Sequence, residues 1–345
     1  MQIHHNFKEE DDSKKKELLF FTKLGKPKPT LVYDTYWEFA AKRQTVFFAK
    51  LEGNLPPWTN DPILNKYKFT NAYRASDRVS QYLIKEVIYK GDPSVEETFF
   101  RILLFKIFNK INTWELLEKE LGQILYADYS FNKFDSVLLN TIALKNPIYS
   151  SAYIMASGKS AFGHPRKHQN HLKLLESMMI DELPKKLAKV ASLENVYQSL
   201  KSYPSLGSFL AFQYAIDINY SEITNFNEMD FVVPGPGAKD GIRKCFSSLG
   251  DYSEEDIIRM MAERQQIEFE RLDLDFKDLW SRPLQLIDCQ NLFCEVDKYA
   301  RVAHPNIKGI SNRKRIKSKY SPKSKPIAYW YPPKWGINAR INSAP

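Results

Sequence analysis

The chain has 345 residues, of which 43% are hydrophobic and 14% aromatic, enough to bury a large core in one large domain or two closely packed ones and too apolar for a disordered chain. Its net charge of +9 is unevenly placed: residues 298–345 carry twelve of the 50 Lys/Arg and no acid, so the body is near neutral. Arg101 and Lys106 interrupt the most apolar run, Phe99 to Phe108, and the N-terminus is polar; neither a membrane span nor a secretory signal is visible, and a cytoplasmic, nucleoid-associated place (nuclear in a eukaryote) is expected.

In chain order, residues 1–30 read as a polar N-terminal segment closed by GKPKP, because charge runs and Pro/Gly punctuation do not build a core. A helical domain follows over 31–300, divisible near residue 200, and a basic, aromatic-containing tail occupies 301–345. TYWEFAAKRQTVFFAKL and YKFTNAYRASDRVSQYLIKEVIY carry apolar residues at helical spacing on either side of the turn-rich NLPPWTNDP, which predicts two amphipathic helices. SVEETFFRILLFKIFNKINTWELLEKELGQILY opens with Ser94 three residues before Glu97, a capping-box spacing, and predicts the central buried helix and its neighbour. Further helices are predicted at 133–144, 167–180, 183–201, 207–217 and 253–270, and period-2 runs are scarce, so the fold class is mainly α.

Chemistry is sparse in this sequence. Cys245, Cys289 and Cys294 form no CxxC pair, which argues against zinc or an iron–sulfur cluster. His168 and His171 in FGHPRKHQNH share a helix face, but no HExxH or third acidic ligand accompanies them or His164; neither a metal nor an organic cofactor is expected. MASGKSAFG contains GKS, yet Tyr153 stands where a phosphate-binding P-loop needs its first glycine, and no strand precedes it. The tail NRKRIKSKYSPKSKP, with Arg313, Lys314 and Arg315, offers salt-sensitive attraction to phosphates. The aromatics after it, Tyr329, Trp330, Tyr331 and Trp335, read first as anchors to the body and second as stacking surfaces for bases.

Two glycine-punctuated helix starts stand out. SYPSLGSFLAFQYAIDI at 202–218 is a Pro-x-x-Gly turn feeding an apolar helix, and its Gly207 and Ser208 place backbone N–H groups where a phosphate fits. FVVPGPGAKDGIRK follows Asp230, and its Gly235 and Gly237 permit close approach while Lys239, Arg243 and Lys244 add charge. Asn71, Arg74, Asp77 and Arg78 recur at three- and four-residue intervals, and Asp288, Gln290, Asn291, Glu295 and Lys298 occupy one further helix. Each set reads equally as a solvated or salt-bridged face.

The order hairpin, helix, Asp, Gly/Pro-rich loop resembles the helix-hairpin-helix DNA glycosylase superfamily, with PSLGSFLA similar to its PGxGxxxA hairpin. Over residues 31–300 the phrases YWEFAAKRQ, PWTNDPIL, YKFTNAYRASDRVSQYL, LLFKIFNKINTWE, VVPGPGAKDGI and DCQNLFCEVDKY resemble a branch of helical domains. That branch is associated with 5-hydroxymethyl-deoxyuridine DNA kinases and with α-glutamyl/putrescinyl thymine pyrophosphorylases. The resemblance implies a helix-hairpin-helix glycosylase-like fold and DNA carrying modified bases as partner, with no obligate protein partner. It carries Asp230 onto the glycosylase aspartate, and Phe209 replaces the Schiff-base lysine of bifunctional members. A second alignment takes PGPGAK as the hairpin, with Lys239 as that lysine and Asp288 as the acid. On either, basic residues grip phosphates, the target nucleotide leaves the stack, and a pocket including Asn71, Arg74, Asp77, Asn109, Gln290 and Asn291 holds the base. The expectation is a monomeric, monofunctional DNA glycosylase that excises a pyrimidine with a bulky 5-substituent, plausible in defence against phages with modified genomes. Two alternatives stand beside it: a transferase or pyrophosphorylase-like enzyme on thymine-analogue 5-substituents, and a non-catalytic binder of modified DNA.

Overall fold

The computed structural model describes residues 25–321 and 327–341; most of the expected polar N-terminal segment and the end of the basic run, residues 322–326, lie outside them. Among the described residues the fold is helical, as expected, with one two-stranded sheet that pairs β1 (Lys28–Pro29) antiparallel with β2 (Phe246–Ser248).

Helix α1 (Leu31–Leu51) starts where Thr30 accepts a hydrogen bond from the Val32 N–H, satisfying one of the otherwise unpaired donors of the first turn. It buries Tyr36, Trp37, Phe39, Ala40 and Phe47. α2 (Pro62–Lys66) is short and is capped by Asp61. The helix expected from residue 67 begins only at α3 (Arg78–Tyr82), preceded by a single 3-10 turn at Arg74–Ser76. The polar side chains account for the delay, since they compete with the helix for backbone groups. Asp77 accepts from the Asn71 backbone N–H at 2.8 Å, Asn71 Nδ2 donates to the Ser76 carbonyl at 2.7 Å, and Arg43 donates to Asn71 Oδ1 at 2.8 Å.

α4 (Val95–Phe108) buries every residue from Thr98 onward and ends at Asn109, whose φ of +48° turns the chain into α5 (Ile111–Leu121). α6 (Phe131–Ala143), α7 (Lys159–Phe162) and α8 (Lys167–Ile180) follow. The helix expected over 183–201 is two, α9 (Leu183–Leu187) and α10 (Leu193–Lys201), because Ser192 caps a fresh start by accepting from the Asn195 N–H at 3.1 Å. α10 and α11 (Ser208–Asn219) form a hairpin about the turn at 202–207.

α12 (Pro236–Cys245), α13 (Glu254–Arg271) and α14 (Leu286–Ala303) complete the body. α12 and α14 cross backbone against backbone: a Cβ at Gly241 would run into the Phe293 carbonyl, and one at Gly237 would lie 3.0 Å from Cys294 Sγ. Two glycines four residues apart thus give α12 a face without side chains. The chain then returns across the molecule to α15 (Asn338–Ile341). On the way Tyr331, with no exposed surface, exchanges a 2.8 Å hydrogen bond with Ser76, and the Trp330 N–H donates to Gln81. The tail aromatics are therefore anchors.

Candidate functional site

The most apolar helices carry the charges that matter. Lys106 on α4 and Asp217 on α11 point at each other from helices otherwise built of core residues, and Arg74 reaches them from the 3-10 turn. Arg74 Nη1 lies 2.8 Å from Asp217 Oδ1 and Lys106 Nζ lies 3.2 Å from Asp217 Oδ2, with all three side chains at most 4% exposed. Both contacts are attractions between opposite charges in a weakly screening interior. Two cations therefore share one carboxylate, and the centre is left with excess positive charge.

The surroundings fix this group in place. Arg74 Nε donates to Gln213 Oε1 at 3.0 Å, Gln213 Nε2 to Gln290 Oε1 at 3.3 Å, and Gln290 Nε2 to Asn291 Oδ1 at 3.3 Å. Lys106 donates to Asn109 Oδ1 at 2.9 Å, and its ammonium lies 4.8 Å from the centre of the Tyr153 ring. The Arg74 backbone N–H donates to Asp288 Oδ1 at 2.7 Å, and Asp288 also accepts from the Gln285 N–H at 3.0 Å. Burial disfavours charge on Arg74, yet Asp217 beside it, with Tyr220, holds the guanidinium pKa above its ordinary value. For Lys106 burial wins: its pKa falls, Asp217 opposing and Arg74 adding repulsion. Burial, with Glu228 nearby, lifts the Asp288 carboxyl to about 7 against the two N–H groups it accepts.

Above this centre the two glycine-punctuated helix starts meet. Gly207 is the N-cap of α11 and Gly235 that of α12, and a Cβ on Gly235 would lie 2.7 Å from the Phe209 ring and 3.8 Å from Gln290 Nε2. Phe209 in turn lies parallel to Tyr153, their planes 2° apart and their centres 5.8 Å apart. Tyr153 has a φ of +57°, an uncommon conformation for a side chain of its size. A half-buried aromatic pair thus stacks beside the Lys106 ammonium.

Of the residues singled out from sequence, Arg74, Asn109, Gln290 and Asn291 belong to this assembly, and Asp288 holds Arg74 from behind. Asn71 and Asp77 instead lock the turn at 71–77 by bonding to it and to each other. Asp230 is exposed on a turn, where its carbonyl accepts from Arg259, rather than in the polar centre. Lys244 is not available to a phosphate: it is buried on Asp297 at 3.0 Å. Gly237 serves helix packing, and Lys239 and Arg243 both face Glu254. Gly207 and Ser208 are exposed at the start of α11. Arg313 pairs with Asp240 at 2.6 Å, whereas Lys314 and Arg315 are exposed. His168 binds Asp135 at 2.7 Å, and His171 contacts Tyr149 and the Ala156 carbonyl, so both rings serve the frame. Lys106, Gln213 and Asp217 were missed from sequence. Their signal was there: polar side chains inside helices that are apolar on every other face.

The chain matches the family described as "5-hmdU DNA kinase, helical domain" over residues 30–309. It is 27% identical over 288 residues to a 5-hmdU DNA kinase of Bacillus phage SP10, an alignment that covers 78% of this chain and 45% of the relative. The chain thus spans less than half the length of the relative it matches. No solved structure matches it. Among the described residues no helix is long and apolar enough to cross a membrane. These findings overturn the expectation of a hydrolytic DNA glycosylase: the relative is named for a phosphotransferase reaction on modified DNA, and the aspartate assigned to glycosidic cleavage stands in open solvent. Through a match that takes in all the residues of the charged centre, the chain belongs to the family of 5-hmdU DNA kinase helical domains.

Proposed function

We propose that the chain recognises a 5-hydroxymethylated uracil base in DNA and serves phosphoryl transfer to that base, the transferase alternative rather than the glycosylase one. The observation that carries this reading is the net-positive, buried centre of Arg74, Lys106 and Asp217 beneath Tyr153 and Phe209. In this reading the nucleotide leaves the stack and its ring takes the place of Tyr153 against Phe209, since aromatic faces accept bases with little regard to identity. Gln213, Gln290 and Asn291 then supply amide donors and acceptors suited to a pyrimidine edge. Lys106 and Arg74 lie where an oxygen-rich 5-substituent would gain most, because phosphoryl transfer depends chiefly on positioning and on neutralising developing charge. The basic segment after α14, with Lys314 and Arg315, holds the backbone phosphates.

A second reading is favoured by the GKS segment. Gly158 opens only the four-residue α7, with Tyr153 at the position of the first P-loop glycine; without a phosphate cradle here this helical domain binds modified DNA and leaves transfer to a partner domain. One experiment separates the two. The purified chain is offered oligonucleotides with thymine or 5-hydroxymethyluracil at one position, with and without ATP, and both affinity and nucleoside masses are measured. Tighter binding of the hydroxymethylated oligonucleotide, lost in Lys106→Met, is expected; a phosphorylated nucleoside establishes transfer by the chain itself. Equal affinity for both bases with no mass change overturns both readings.

A further inference from the structure

The amide chain that leads away from Arg74 has a fixed direction. A guanidinium can only donate. Arg74 Nε donates to Gln213 Oε1 at 3.0 Å, so the Gln213 oxygen faces Arg74 and its NH2 faces Gln290. Gln213 Nε2 then donates to Gln290 Oε1 at 3.3 Å, which turns the Gln290 NH2 toward Asn291 Oδ1, again at 3.3 Å. Reversing any one amide sets two NH2 groups or two oxygens face to face. Gln213 and Gln290 have no exposed surface, and their amides are taken up within the chain. Asn291 is half-buried, and its NH2 makes no hydrogen bond among the described residues and keeps accessible surface. The relay therefore ends on a donor whose identity is set by Arg74.

That end lies close to the aromatic pair. The point where a Gly235 Cβ would sit is 2.7 Å from the Phe209 ring and 3.8 Å from Gln290 Nε2, so Asn291 stands one hydrogen bond beyond a group that borders the Phe209 ring. We infer that Asn291 is the specificity-determining residue for the pyrimidine, its NH2 donating to O4, the carbonyl next to the 5-substituent; this rests on the base-recognition reading above. Uracil and thymine carry an acceptor at that place and cytosine an amino donor, so a cytosine with the same 5-hydroxymethyl group meets donor with donor. An asparagine alone could turn to suit either base, because one rotation exchanges its oxygen and its NH2. The relay removes that freedom, and the wrong base then leaves donors unmet. In this role Arg74, Gln213 and Gln290 are positioning residues, acting through the direction they impose on Asn291.

Base preference at constant substituent tests this. Affinities of the full chain are measured for one oligonucleotide carrying, at a single position, 5-hydroxymethyluracil, 5-hydroxymethylcytosine, thymine or 5-methylcytosine. The wild type is expected to bind each uracil form at least about tenfold more tightly than the cytosine with the same substituent. Asn291→Asp keeps the acceptor for Gln290 and replaces the free donor by an oxygen. Gln213→Glu reverses the relay from its start: the new carboxylate accepts from Arg74 and from Gln290, which turns Asn291 to present Oδ1, and the excess positive charge nearby accommodates it. Both variants are expected to shift the uracil-to-cytosine ratio by at least about tenfold toward cytosine. The ratio within one variant is blind to a general loss of affinity. Equal affinity of the wild type for the two hydroxymethylated bases overturns the inference. So does an unchanged ratio in Asn291→Asp, a half-buried position, whether or not Gln213→Glu folds. The substituent is judged separately. Hydroxymethyluracil and thymine bound alike, each above its cytosine partner, supports the relay and removes the role of the 5-substituent; preference for the hydroxymethyl group on either base, without preference for uracil, does the reverse.

Discussion

The charged centre and the basic segment after α14 both collect positive charge, and they do so under opposite physical conditions. Arg74 and Lys106 are buried, their electrostatics barely screened, and each depends on one carboxylate, Asp217. Lys314, Arg315, Lys317 and Lys319 stand in water, where salt screens them beyond about 10 Å and single contacts are weak. The first arrangement suits discrimination, since a mismatched group inside it leaves charges or donors unmet. The second suits capture of any polyanion.

The sharpest way to break that comparison is Asp217→Asn. It strands two buried cations, and a loss of about 3–5 kcal/mol in urea unfolding is expected; a loss below about 1 kcal/mol would show that the centre is wetter than its geometry states. Next is the pH dependence of Asp288. Its folded pKa of about 7 lies above the unfolded value of about 4, so the native state holds the extra proton between them. Its contribution is full below pH 4, declines as pH rises, and is gone above pH 7, by up to about 4 kcal/mol. Asp288→Asn is expected to flatten this slope in denaturation series from pH 4 to 8; equal slopes in both proteins would remove Asp288 as its source. The smallest effect on stability belongs to the surface: neutralising Lys314, Arg315 and Lys317 together is expected to move unfolding by less than about 0.5 kcal/mol. It is instead expected to lower the slope of log affinity for DNA against log salt by about 0.9 for each phosphate contact removed. An unchanged slope would take the segment out of DNA binding.

The difference between the regions also explains what the sequence disclosed. Charge runs such as NRKRIKSK are visible by inspection, and helical periodicity located most helices to within a few residues. Arg74, Asn109 and Gln290 stood out as polar residues within helical patterns. Lys106 and Asp217 did not, because a charge inside an apolar run reads first as an interruption of a membrane span; only the fold reveals that the two interruptions face each other. The split at Ser192 and the late start of α3 escaped for a related reason, since capping by Ser, Asn and Asp side chains overrides apolar spacing. The paired starts at Gly207 and Gly235 looked like rival alignments of one hairpin, and in the structure they are neighbours across Phe209.

The return of the chain through Tyr331 has a consequence for how the basic segment behaves. That segment is fastened before it, where Ser311 donates to Asp240 and Arg301 to the Arg315 carbonyl. It is fastened within it, by antiparallel pairing of Tyr67 with Lys319, and after it by the Tyr331 plug. Over residues 311–320 it is a strap rather than a streamer: much of the ordering entropy that a loose cationic arm surrenders on meeting DNA is already lost there on folding. Arg313, Lys314, Arg315, Lys317 and Lys319 are therefore spaced by the protein, and they favour a polyanion whose phosphates match that spacing. Trimming the chain back through Ile337 and Tyr331 removes core side chains before it reaches Lys314, Arg315, Lys317 and Lys319, so a truncated protein that fails to bind DNA reports lost folding, whereas point neutralisation reports lost attraction.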